Sequence, residues 1–165
     1  MTIERVSLIK IEKDDLNILE NLMELYLHDL SAFSEELKIN EKGKFGYEGL
    51  QFYLSEEDLG AFFIYADEEL CGFALLNSGK YVPIGVDYSI HEFFIAKYFR
   101  KKGVGKRATK LIFENYPGRY KIEQLSRNIR AIEFWRNVYK EYDIEYNEMT
   151  ETSDGEEFFI QILKI

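Results

Sequence analysis

Between Val86 and Ile112 the chain passes from an apolar run, "VDYSIHEFFIA", through a basic segment, "KYFRKKGVGKRA", into a stretch whose residues Val104, Ala108, Leu111 and Ile112 share one helical face. A strand that hands over to a helix across a glycine-bearing loop belongs to an α/β layered architecture, and it fixes the rest of the reading. Residues 97–108 hold six Lys and Arg and no acid, in a chain of formal net charge −9. A charge run alone reads as a solvated face. Gly103 and Gly105 change that: with no side chains there, backbone N–H groups can approach an anion, and the helix N-terminus adds its partial positive charge.

The flanking sequence supplies the layers. Val6–Ile11 reads as a strand, and Asp14 or Asp15 can cap a helix with apolar Leu16, Leu19, Leu22, Met23, Tyr26 and Leu30. Residues 31–60, with the Gly-bearing, aromatic and acidic "NEKGKFGYEG", are expected to form loops and a short helix that serve as an acceptor-side lid. "GAFFIYADEELCGFALLN" is two apolar runs about a polar turn, an antiparallel hairpin. Pro117-Gly118 ends the second helix, Arg119–Leu125 forms a fifth strand, and Asn128 opens a last helix. Closing strands are predicted near Tyr142–Asn147 and Glu157–Lys164. The order is β-α-β-β-β-α-β-α-β-β, one domain over residues 1–165 with a mixed sheet flanked by helices.

At 165 residues and 46% hydrophobic content the chain can bury a full core. Its one cysteine, Cys71, excludes an internal disulfide and reads as a packing residue, and with His28 and His91 it forms no zinc spacing, so no metal is expected. The acidity outside the basic window argues against nucleic acid as a partner. No run approaches the roughly 18 apolar residues needed to span a bilayer, and no basic region leads into an apolar one at the N-terminus. A cytoplasmic protein without a membrane partner is expected.

Two glycine motifs compete for the basic segment. Gly103–Ala108 satisfies G-x-G-x-x-G/A with Glu123 near the offset of a ribose-binding acid. A dinucleotide fold wants those glycines directly after its first strand, however, and needs a second βαβ half. The other reading starts at Arg100 and gives R-x-x-G-x-G. Joined to "EFFIA" before it and "NIRAIEFW" after it, the segment resembles the GCN5-related N-acetyltransferase (GNAT) family, and the resemblance extends over the whole order of elements.

The resemblance implies a centrally splayed sheet that takes the pantetheine arm of acetyl-CoA between two parallel strands, here 86–96 and 119–125. Main-chain groups near Phe94, Ile95 and Lys97 would bond the arm. Arg100, Lys101, Lys102, Gly103, Val104 and Gly105 would hold the pyrophosphate, with Lys106 or Arg107 reaching an outer phosphate. Asn128 matches the family asparagine that contacts the arm and reads equally as a helix N-cap, with Ala131 and Phe134 on the same face. Glu92 is the expected general base, sharing a strand face with Phe94; a structural Glu, or His91 as base, stays open. Many relatives place Tyr where this chain has Trp135, and an indole cannot protonate a thiolate, so Tyr139, one turn on, is the candidate acid, and departure of the thiolate without a dedicated acid stays open.

The expected function is acetyl-CoA-dependent transfer of an acetyl group to the primary amine of a small, cationic acceptor. The acidic, aromatic lid residues Tyr26, His28, Asp29, Glu35, Glu36, Tyr47, Glu48 and Tyr53 favour such a cation. The alternative is a non-catalytic acyl-CoA sensor. A homodimer is an allowed state.

Overall fold

The computed structural model describes residues 2–165 and contains seven strands and three α-helices. In chain order these are β1 (Val6–Lys10), α1 (Leu16–Leu30), β2 (Leu59–Ala66), β3 (Glu69–Ser78), β4 (Tyr88–Ile95), α2 (Val104–Asn115), β5 (Arg119–Leu125), α3 (Ile129–Glu141), β6 (Tyr146–Ser153) and β7 (Glu156–Lys164). They form one sheet ordered β1-β2-β3-β4-β5-β7-β6. Every neighbouring pair is antiparallel except β4–β5. This is the mixed sheet the sequence predicts, and it rules out the dinucleotide reading, whose sheet would be mostly parallel.

Strand periodicity divides the core into two layers. Ala61, Phe63, Phe73, Leu75 and Phe94 face α1 and meet its buried stripe of Leu19, Met23 and Leu27. The alternate residues Phe62, Ile64, Ala74, Leu76, Ile90 and Ile95 face α2 and α3, against Val104, Ala108, Ile112, Trp135 and Val138. Burial on both faces explains why β2 and β3 read as unbroken apolar runs. Cys71 lies in β3, 1% exposed, and donates to the Ile64 carbonyl at 3.2 Å; burial pushes its thiol up to about 11. No helix among the described residues is long and apolar enough to cross a membrane.

Two expectations shift. Asp15 stands at the N-cap of α1, but its side chain makes no capping bond. The sixth strand lies at Tyr146–Ser153 rather than near Tyr142–Asn147. All its residues are exposed, so no apolar alternation marks it. The overlooked signal is Asp154-Gly155, both at positive φ (50° and 79°), a two-residue turn between paired strands.

Candidate active site

Parallel β4 and β5 touch at their N-terminal ends and then part. Tyr88 opposite Tyr120 is their one paired position. Just before it the Asp87 N–H donates to the Arg119 carbonyl at 2.8 Å, and Asp87 Oδ2 accepts from the Arg119 N–H at 2.7 Å. Gly118 permits this closure, since a Cβ there would lie 2.8 Å from the same carboxylate. Toward their C-terminal ends the strands have no mutual ladder, which leaves an edge of β4 free to bond an extended ligand. On the α3 side of the divergence Phe93 stacks on Phe134 with centroids 5.7 Å apart and packs against Trp135 at 5.6 Å.

β4 also carries a bulge. Leu75 pairs with Glu92 but Leu76 pairs with Ile90, so His91 is the extra residue. In a regular strand neighbouring side chains point to opposite faces. Here His91 Nε2 and Glu92 Oε1 lie 3.7 Å apart, with His91 45% exposed and Glu92 14%. Glu92 faces α1, on the side of Phe94, as its alternation predicts. The Tyr47 hydroxyl donates to Glu92 Oε1 at 3.3 Å, and the Tyr26 hydroxyl also bonds the carboxylate. Burial raises the Glu92 pKa above the ordinary carboxyl value, opposed by the His91 charge and the two tyrosine hydroxyls. The same burial and the Glu92 charge raise the Tyr47 and Tyr53 hydroxyls, and Tyr53 donates to Asn77 at 2.6 Å.

The basic loop is differentiated. α2 begins at Val104 behind Gly103, which sits at φ 78° with open space around it, and neither an acid nor a capping side chain occupies its first turn. Its first amides are thus available to an anion. Gly105 serves a separate purpose. A Cβ there would come within 2.9 Å of the Phe134 ring, so this glycine makes room for an aromatic ring.

Most of the cations are already committed. Arg100 donates through Nε to the Ile95 carbonyl at 2.6 Å and through its terminal nitrogen to Asp29, with its guanidinium 5.6 Å from the Phe94 centroid. Lys97 is 3.6 Å from Asp29. Lys106 pairs with Glu141. Arg107 donates to the carbonyls of Ile3 and Glu4 at 2.9 and 2.6 Å, which corrects its expected role at an outer phosphate. Lys102 Nζ lies 3.6 Å from the Tyr98 ring centroid, while Lys101, at φ 60°, has no ion pair among the described residues.

On α3, Asn128 is the N-cap: its Oδ1 accepts from the Ala131 N–H at 3.2 Å. Ala131 and Phe134 follow on the same, partly exposed face. Tyr139 corrects an expectation. It is 0% exposed, its hydroxyl donates to Gln161 at 3.4 Å, and burial drives its pKa well above the usual value. Such a hydroxyl has no route to a departing thiolate. Trp135 is 5% exposed and packs between Phe93, Phe134 and Tyr139.

The lid expectation divides as well. Tyr26 and Tyr47 converge on Glu92, Tyr53 turns its hydroxyl to Asn77, and His28 packs on Phe45 with centroids 6.4 Å apart. Asp29 turns to Arg100, and Glu35 lies 3.9 Å from Arg127. Glu36 and Glu48 are exposed. An open groove of ≈ 500 Å³, lined in part by Ser31, Ser34, Lys38 and Arg127, runs from the end of α1 to the β5–α3 junction. Sequence reasoning missed Glu24, whose carboxylate accepts from the N–H groups of Phe45 and Gly46 at 2.8 and 2.9 Å. On α1 it reads as one more solvated acid.

Comparison with known proteins agrees with this geometry. The model of the acetyltransferase (GNAT) family matches residues 19–138. No curated protein matches the sequence significantly. Among solved structures the chain is similar to an acetyltransferase from Thermus thermophilus (16% identity, 100% of both chains covered, TM-score 0.73). It is also similar to the ribosomal-protein-S18-alanine N-acetyltransferase of Escherichia coli (16% identity, 98% of this chain and 94% of that one, TM-score 0.62). A third is the Salmonella typhimurium acetyltransferase that modifies the N-terminal serine of ribosomal protein L7/L12 (12% identity, 96% and 92% covered, TM-score 0.66).

Proposed function

The chain belongs to the acetyltransferase (GNAT) family, and from that premise we propose that it acetylates a primary amine that reaches Glu92 from the α1 side of the splayed sheet. Acetyl-CoA, as the second substrate, supplies the thioester carbonyl. The residues present fit it. The open edge of β4 about Phe94, Ile95 and Lys97 suits an extended pantetheine arm, and Asn128, whose Oδ1 is used in the cap, keeps its amide N–H₂ for the same arm. The amides from Lys101 to Lys106, around Gly103, Val104 and Gly105, suit its pyrophosphate, with Lys101 and Lys102 adding charge. Ala131 and Phe134 line the α3 side of that path.

An alkyl ammonium has a reference pKa of about 10.4 and must shed a proton before it attacks. Glu92 accepts that proton, directly or through one water. Its raised pKa makes it a stronger base than a solvated carboxylate, and the tyrosine hydroxyls hold it in place. As the new C–N bond forms, the C–S bond breaks and the thiolate leaves unaided; thiols, with a reference pKa of about 8.5 for cysteine, are better leaving groups than amines. Positioning of amine and thioester supplies most of the acceleration.

The observation that carries this reading is Glu92 itself, a carboxylate beside the bulge of β4, the strand that parts from β5 toward its C-terminal end. The acceptor we favour is a small cationic amine, because its charge would be matched by Glu92 and its methylenes by the rings of Tyr26, Tyr47 and Tyr53. The test is release of free thiol from acetyl-CoA with a panel of a polyamine, an aminoglycoside, an aromatic monoamine and a short peptide with a free α-amino group. Turnover of the peptide alone would replace the small-amine reading. Tight binding of acetyl-CoA with no turnover of any amine would convert the assignment to a sensor.

A further inference from the structure

The segment between α1 and β2 is folded by Asn40 and tied to α1 by Glu24, beside the contact of Phe45 with His28. Asn40 folds its first part into a closed turn: Oδ1 accepts from the N–H groups of Lys42 and Lys44 at 2.9 and 3.2 Å, and its own N–H donates to the Lys44 carbonyl at 2.8 Å. Gly43, Gly46 and Gly49 take positive φ of 72°, 73° and 88°, which lets the chain reverse without strain. The turn would hang free of the body but for α1, where both oxygens of Glu24 accept the consecutive amides of Phe45 and Gly46. One residue further on, the Tyr47 hydroxyl reaches Glu92. Charge-assisted bonds to two adjacent N–H groups are the strong, directional kind, and they fix the height at which Tyr47 meets the carboxylate.

We infer that Glu24 is a positioning residue for acceptor binding, a clamp that pins the 40–47 turn on α1 and sets Tyr47 against Glu92. The inference rests on the reading of Glu92 as the base. The acceptor then binds beneath a wall that is formed in advance, so its ordering cost is already met when the amine arrives. Acetyl-CoA, held by the opposite layer, does not depend on the clamp.

Glu24→Ala and Glu24→Gln test this, and alanine at a mid-helix position favours α1 rather than weakening it. In Glu24→Ala, hydrogen exchange at residues 41–47 is expected to rise roughly 10-fold or more, with β4 and the α1 core unchanged. With the panel amine that turns over fastest, acceptor KM is expected to rise roughly 10-fold while acetyl-CoA KM stays at the wild-type value. Glu24→Gln, which keeps one accepting oxygen, falls between. Tyr47→Phe and Glu24→Ala together should be non-additive in acceptor KM, because the clamp acts through that hydroxyl. Faster exchange with both KM values unchanged overturns the proposal, as do unchanged exchange or strict additivity. Glu92→Gln is run beside them: full turnover there sinks the base assignment, whereas exchange and coupling judge the clamp.

Discussion

Glu92 shows how a single side chain can be legible in its face and illegible in its chemistry. Alternation along β4 assigns its face, but only its burial in the packed chain raises its pKa, against the opposing pull of His91 and of the Tyr26 and Tyr47 hydroxyls. Glu92→Gln should lower turnover roughly 10- to 1,000-fold, read as thiol release per folded molecule. The same raised pKa has a consequence for stability. Above the ordinary carboxyl value of about 4.3, the unfolded chain ionises freely while the folded one resists, so wild-type stability loses ground as pH climbs through that window. Glu92→Gln escapes this penalty, and its stability relative to wild type should improve in urea unfolding as pH rises above about 4.3. At Tyr139 the expectation is the reverse of a catalytic role: Tyr139→Phe should keep wild-type turnover, because the hydroxyl is buried and donates to Gln161 in the core. The two glycines of the basic loop should separate likewise. Gly105→Ala forces its Cβ against the Phe134 ring and should cost about 1–3 kcal/mol of stability. Gly103→Ala meets no atom, and its cost is limited to about 1–2 kcal/mol of left-handed strain.

At the scale of elements, α1 is the hub of the candidate site. Its buried stripe of Leu19, Met23 and Leu27 seats it on β2 to β4, and the residues between project to different partners. Glu24 clamps the turn, Tyr26 bonds Glu92, His28 packs on Phe45, and Asp29 holds Arg100. Through Arg100 the helix also grips the last carbonyl of β4, so the acceptor layer and the loop before α2 are tied at one guanidinium. Lysine cannot span a carbonyl and a carboxylate in that fork. Arg100→Lys should therefore cost about 1.5–3 kcal/mol in stability, measured by denaturant unfolding, and weaken acetyl-CoA binding indirectly. Stability at the wild-type level would mean that the strut is idle.

Over the whole molecule, the charge pattern is more even than residues 97–108 imply in isolation. Asp29 and Glu141, distant in sequence, come back to meet Arg100, Lys97 and Lys106. The body remains acidic at net −9, which raises the local concentration of a cationic acceptor and repels an anionic one. Raising ionic strength from about 10 mM to about 150 mM shortens the Debye length from about 30 Å to about 8 Å. The kcat/KM of a polyamine should fall over that range, and more steeply than that of a monoamine. Equal salt slopes for the two would remove long-range steering from the account.

The order of elements, the two-layer core and the handover from β4 to α2 were all present in the sequence, because periodicity and glycine placement are local properties that a chain carries wherever it folds. The face that Glu92 shares with Phe94 and the place of Gly103 just before α2 were legible for the same reason. The uses of Gly105, Arg100, Arg107 and Tyr139 were not, nor was the clamp at Glu24. Each is decided by a partner far along the chain: the Phe134 ring, Asp29, the Ile3 and Glu4 carbonyls, Gln161, and the amides of Phe45 and Gly46. A basic residue looks the same whether it waits for a phosphate or is already paired with a carboxylate. Only the packed chain brings such a partner within hydrogen-bonding distance, and so divides the groups left open to a ligand from those already spent on holding the fold.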